Sequence, residues 1–243
     1  GTINVKGNLT TSAGGDGNTG STSIVLNGLG DQSVTSTAGY LPGGNFSINK
    51  TAGTVSFSGT LYLRGTSFTW TAGKVDAGTS TIYFASSGLT FTPGTNVTYY
   101  NISSSGTTTL AGNAVVTNTL SIEGGTFSTS GSNHTVTTND FSQSAGTFSA
   151  NASVVKISGD FTHSAGTFTA GTSTLVLNGT SQTITGAMTF YNLSKFITAA
   201  DTLTFTHTTS YTIGSGGTAR FMGQRGALLS IQSSSAGTAF TLT

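Results

Sequence analysis

Cysteine is absent from this 243-residue chain, which excludes disulfide staples and thiolate metal sites. Charge is scarce too. Asp, Glu, Lys and Arg make up 6% of the residues, against about 25% in an average soluble domain. The net charge is +1 and the cations are scattered, so the clustered Lys and Arg of a nucleic-acid surface are missing. Only two prolines occur. No apolar run approaches the roughly 18–20 residues of a membrane-spanning helix. An outer-membrane barrel needs strands of about 10 residues, and the alternating segments here are half that. Helix signals are lacking: no apolar spacing of 3.6 persists, and Ser, Thr and Gly are poor helix interiors. Gly1 stands in mid-pattern, and any export signal is expected either to have been removed or to lie outside this sequence.

What is abundant is Gly, with 35 residues, together with Ser and Thr. Low charge with Gly and Ser could mean disorder, but disordered chains lack aromatic and β-branched residues. Here 15 Phe, 7 Tyr and many Val, Ile and Leu recur at regular intervals, enough for a thin core built by stacking.

The recurrence is an internal repeat. Residues 140–159, DFSQSAGTFSANASVVKISG, align without a gap on 160–179, DFTHSAGTFTAGTSTLVLNG, at a shift of 20. The preceding unit, 119–139, fits at a shift of 21. Segments 51–63 and 71–84 repeat at 20, and a longer echo sets 21–28 and 31–35 against 173–179 and 181–185. Inside each unit apolar residues alternate with Thr, Ser or small residues over 4–6 positions, the pattern of half-buried strands. Gly, Asn and Ser clusters separate them and supply the sharp corners.

Three short strands in 20–21 residues make one coil of a three-sided parallel β-helix. The expected fold is therefore all-β, a parallel β-solenoid spanning 1–243 as one domain, whether whole or a piece of a longer rod. Equivalent positions stack about 4.8 Å apart, giving roughly 11 or 12 coils. Three inward ladders are predicted: Phe127, Phe148 and Phe168; Val136, Ile157 and Leu177; and Leu120, Phe141 and Phe161.

Units such as GTFTAGTSTLVLNGTSQTI and FYNLS resemble the Thr/Gly-rich repeats of large bacterial surface proteins. The coil length is similar to that of filamentous-haemagglutinin-like adhesin shafts. The resemblance implies secretion and a stalk or adhesive role, and carries over no catalytic residue. The secretion cap of those adhesins is not recognisable.

Chemical motifs are few. GDGNTG (15–20) satisfies G-x-G-x-x-G, but it runs into the strand pattern STSIVLNG, where a dinucleotide loop must open a helix. Asp140 and Asp160 sit one coil apart at the same corner. They are weak candidates for a cation site or an acid/base pair, and otherwise solvated turn residues that accept backbone N–H groups. His134, His163 and His207 share no spacing that stacks them. Thr126/Ser128, Thr147/Ser149 and Thr167/Thr169 form outward T-x-T-like pairs, as on ice-binding solenoids, with Lys74 and Asp76 at equivalent positions expected to break the array. Nine N-x-S/T sequons occur, among them Asn96, Asn101 and Asn192.

The leading expectation is a non-enzymatic, extracellular or cell-surface structural rod without cofactors. Its alternatives are a glycan-binding adhesin or polysaccharide-active β-helix, for which Trp70, Tyr99, Tyr100 and Tyr191 are the available platforms, and an ice-binding solenoid. Self-association is expected through Ile3, Val5, Phe240 and Leu242, because unblunted strand edges template pairing.

Overall fold

The computed structural model describes residues 1–12 and 20–243. They form a β-solenoid of about ten turns, with every strand-to-strand pairing parallel and no helix. Coils lengthen toward one end. Leu203 pairs with Ile231 and Tyr211 with Leu242, steps of 28 and 31 residues. That is why the turns are fewer than a uniform 20–21 residues predicts.

Each coil presents three faces. The first runs through the strands Thr2–Val5, Ser23–Leu26, Leu89–Thr92, Thr108–Leu110, Thr126–Ser128, Thr147–Ser149 and Thr167–Thr169. The long strands Phe46–Leu63 and Ser67–Asp76 belong to it only by their first residues, then bend onto the next face. The second face carries Leu9–Thr11 and Gln32–Ser36 at one end, and Val154–Ile157 and Thr174–Leu177 further on. The third carries Thr81–Phe84, Asn101–Ser104, Phe161–His163, Gln182–Thr185, Asp201–Phe205 and Leu229–Ser233.

Period-2 alternation decides what is inside. Strands such as Ser23–Leu26, Thr81–Phe84 and Thr174–Leu177 bury every second residue. On the third face one inward column is unbroken: Leu61, Ile82, Ile102, Leu120, Phe141, Phe161, Ile184 and Phe205, each in register with the next. All eight are buried. At about 2–3 kcal/mol per fully buried large apolar side chain, this column is a principal stabiliser of the stack.

Corners are set by glycine where coils approach most closely. Gly125, Gly146 and Gly166 all have positive φ and precede the Phe of the first face. A Cβ on Gly146 would lie 2.4 Å from the Gly124 carbonyl carbon, and one on Gly166 would lie 2.5 Å from the Gly146 oxygen. Only glycine fits such a corner in successive coils.

The ladder Leu120–Phe141–Phe161 stands as expected. Phe127, Phe148 and Phe168 also stand in register as expected; the ladder through Val136 needs correction. Val136 pairs with Val155, while Ile157 pairs with Thr138 and Leu177. The chain between Ser128 and Val136 takes up the two-residue slip, which keeps the inward face inward. Phe127 and Phe148 are fully buried and stacked, with centroids 5.9 Å apart. Phe168 is in register with Phe148 but only half-buried, because the ladder stops there.

Candidate functional site

Asp140 and Asp160 are inter-coil brackets. Asp140 Oδ1 accepts the Asp160 N–H at 2.8 Å, and Asp160 Oδ1 accepts the Thr183 N–H at 2.7 Å, one coil onward each time. The device recurs. Asn8, Asp31, Asn101, Asn113, Asn133 and Asn192 each accept an N–H from the following coil at 2.8–3.2 Å. Each bracket contributes about 1 kcal/mol, more where the acceptor is charged. The two aspartates are brought together as predicted, but through backbone rather than toward a shared proton or cation. Among the described residues no group of three or more His, Asp or Glu could hold a metal ion.

The histidines do not meet. His207 Nδ1 lies 2.9 Å from Ser234 Oγ, and His163 Nε2 is buried without a partner. Apart from Gly20, the GDGNTG segment lies outside the described residues.

Two lysines missed by sequence reading form the most organised polar sites. Lys50 Nζ donates to Gly28 O, Gly30 O and Gln32 Oε1 at 2.6, 2.7 and 2.9 Å. Lys195 Nζ donates to Gly179 O and Gln182 Oε1, both at 2.8 Å, and pairs with Asp201 Oδ2 at 2.8 Å. In each case the glutamine amide reaches back to two carbonyls of the coil before: Val5 and Gly7 from Gln32, Ile157 and Gly159 from Gln182. Both lysines are buried. Burial lowers the Lys50 pKa, opposed by the nearby Asp31. Burial of Asp201 opposes its ionisation, but hydrogen bonds from Lys195 and from the Ser181 and Thr202 N–H groups outweigh it, so its pKa falls. The cages are filled by the chain's own ammonium groups and act as cross-coil rivets. Their signal was the repeated N-G…Q of 27–32 and 178–182, with Lys50 and Lys195 following.

The aromatic platforms also need correction. Trp70 and Tyr99 are core residues, their rings edge-on at 6.3 Å. The Tyr99 hydroxyl donates to Pro93 O, and burial raises its pKa well above the usual value. Tyr100 and Tyr191 are half-buried. The outward aromatic column is instead Tyr40, Tyr62 and Tyr83, with centroids 5.1 and 4.9 Å apart and the Arg64 guanidinium 3.2 Å over Tyr40. These rings pack on one another, and Tyr83 Oη donates to Glu123.

The first face is the uncharged one. Ser67, Thr90, Thr109, Ser128, Ser149 and Thr169 lie in register as one outward column. Thr126, Thr147 and Thr167 form a second beside it. Lys74 and Asp76 do not break this array, because the strand Ser67–Asp76 has bent onto the second face by the time it reaches them. Of the named sequons, Asn96 is exposed, whereas Asn101 and Asn192 are occupied as inter-coil brackets.

At the coil stack's ends, Ile3 is exposed and Val5 half-buried. Phe240 is not a free edge residue. Its ring stacks on Phe205 at 4.6 Å and closes the third-face column. Leu242 pairs with Tyr211.

No protein-family model, no curated protein and no solved structure matches the chain, so what is shown is the architecture, a parallel β-solenoid.

Proposed function

We propose that the chain is a structural rod, a stalk or filament segment at a cell surface. The observation that carries this reading is the unbroken column from Leu61 to Phe205, backed by brackets and rivets that each tie one coil to the next. Stability in such a stack is a sum of coil and neighbour terms, and continuous parallel ladders resist bending. The similarity in coil size to haemagglutinin-like shafts supports the same role. Self-association belongs to the proposal: the outer edges of Thr2–Val5 and Thr241–Leu242 pair on one side only among the described residues. Their ends carry little charge to oppose a further coil. The test is mass by sedimentation at micromolar concentration, with filaments sought by electron microscopy. Wild type is expected to associate, and Leu242→Pro, which removes an edge N–H and spares the Phe240–Phe205 stack, is expected to reduce association. A wild type that stays monomeric overturns the self-associating form.

A second reading is favoured by one observation. The charge-free hydroxyl columns of the first face repeat about every 4.8 Å across coils and about 6.8 Å along each strand, the two-dimensional regularity that an ordered water layer needs. If this face binds ice, the protein partitions into a growing ice front and Thr147→Tyr abolishes the partitioning. Exclusion of wild type from ice removes the reading.

A further inference from the structure

A recess opens on the outward side of the second face. There the strand Met188–Phe196 pairs with Thr174–Leu177 on one side and with residues 218–222 on the other. Leu193 and Lys195 point inward and are fully buried, and Lys195 is fastened by its ion pair with Asp201. Period-2 alternation then turns Asn192, Ser194 and Phe196 outward. In register, Ser194 lies between Val176 and Arg220, and Asn192 between Thr174 and Thr218. A serine between two larger side chains makes a dip in its column. The resulting cavity of about 220 Å³ is lined chiefly by Thr174, Ser194, Phe196, Thr218 and Arg220. At about 30 Å³ per water, that is room for about seven waters, or for one small organic unit.

Two polar groups in the recess lack partners. Ser194 is 8% exposed, yet its hydroxyl makes no hydrogen bond within the described residues. Buried hydroxyls ordinarily have a partner. The Arg220 guanidinium lies 5.5 Å from the Phe196 ring centroid and touches Met222 Sδ at 3.9 Å, and among the described residues no carboxylate pairs with it. The remaining wall is already braced. Asn192 Nδ2 donates to Thr174 Oγ1, and Asn192 Oδ1 accepts the Thr218 N–H and hydroxyl. Phe196 is 51% exposed, an aromatic wall turned to solvent beside the guanidinium.

From this geometry we infer that the recess binds a carboxylate carried on a hydroxylated ring, the uronic-acid unit of an acidic saccharide. Arg220 supplies the one charge of the lining, so the ligand is an anion. A guanidinium fork matches a carboxylate with two parallel hydrogen bonds. It balances a carboxylate's single charge, whereas a phosphate carries nearly two. The Ser194 and Thr174 hydroxyls each have a proton to donate and lone pairs to accept, the match for ring hydroxyls. The half-exposed Phe196 ring covers the apolar C–H face of the sugar. A ligand without hydroxyls leaves the buried Ser194 unpaired, which penalises simple organic acids. The site is independent of the rod reading, because the coil stack holds it whether or not rods associate.

The test is a titration of the intact ¹⁵N-labelled chain, followed by its amide NMR signals, with glucuronate, glucose, acetate, benzoate and inorganic phosphate in turn. Glucuronate is expected to shift the signals of the recess residues and to saturate at millimolar concentration. Glucose, which lacks the carboxylate, and acetate, which lacks the ring, are each expected to bind at least about tenfold more weakly, the ratio that one charged hydrogen bond supplies. Arg220→Gln and Phe196→Ala, each checked for unchanged circular dichroism, are expected to weaken glucuronate binding to a similar degree. Lys156→Gln, two coils from Ser194 on the same outward column, is expected to leave it unchanged. Equal binding of acetate or phosphate, or equal losses in the Arg220 and Lys156 variants, would show charge attraction alone and overturn the proposal. Tighter binding of benzoate overturns it in favour of an aromatic acid, and the absence of any saturable shift overturns it outright.

Discussion

Phe148→Asp is expected to abolish cooperative folding of the coils around it. The Phe148 ring is fully buried, stacked between Phe127 and Phe168 at 5.9 and 5.7 Å and edge-on to Phe141 at 5.0 Å. Truncating a buried Phe alone costs about 3–5 kcal/mol. A carboxylate there adds an unpaired buried charge, which costs several kcal/mol more or forces the group to neutralise. Each coil draws its stability from its neighbours, so the loss spreads to the coils on either side. The measurement is urea unfolding followed by β-sheet circular dichroism, with proteolysis mapping which coils open. Phe168→Asp provides an internal scale: its half-exposed ring gives the carboxylate a route to water, and its expected cost is smaller. A fully folded Phe148→Asp protein with unchanged β signal contradicts the ladder.

That contrast also marks how far the sequence could be read. Alternation with period 2 and recurrence at 20–21 residues are direct imprints of a pleated strand and a coil, so the architecture and most inward residues were legible. Corners are where legibility failed. A slip of two residues between Ser128 and Val136 leaves the inward pattern intact, so nothing in the alternation distinguishes Val155 from Ile157 as the partner of Val136. The FTAGTSTLVLNG repeat, residues 168–179, likewise carries no mark of the missing pairing between Thr167–Thr169 and Met188–Phe190. Trp70 lies inward on its strand, in register with Ile48, and its identity suggested a platform only because it is rare. The rivets were hidden for a different reason. A single lysine in an alternating strand ordinarily reads as a solvated head group on a buried stem. Only the coincidence of N-G…Q one coil earlier, twice in the chain, distinguishes Lys50 and Lys195 from that reading.

Lys195→Met is expected to cost about 3–5 kcal/mol at neutral pH, the range for removing one partner of a buried ion pair. Lys195 and the Asp201 side chain are 0% and 4% exposed, so water cannot replace the lost ammonium. The substitution leaves Asp201 Oδ2 and Gly179 O without their donor, while Gln182 Oε1 keeps the Gly179 N–H at 3.0 Å. Asp201→Asn in the same background removes the orphaned charge and is expected to recover part of the loss. The pH dependence has a definite sign. The folded Asp201 pKa lies below its ordinary value, so its contribution to wild-type stability is fully present above about pH 4 and is lost as pH falls through the lowered folded value. Without Lys195, the burial that already opposes ionisation is no longer offset by that partner, and the variant gains relative to wild type on acidification. The deficit of Lys195→Met should therefore be largest near neutrality and narrow below about pH 4. Lys50→Met is the control. Lys50 rests on two carbonyls and Gln32 without a carboxylate in hydrogen-bond contact, and its lowered pKa means that its charge is a net cost in the fold below that pKa. Removing it orphans acceptors, at about 1–3 kcal/mol, and orphans no ion. Urea midpoints for the three variants across pH decide the matter: equal costs for the two lysines, or a deficit at Lys195 that does not change with pH, would show that the ion pair with Asp201 does not hold those coils together.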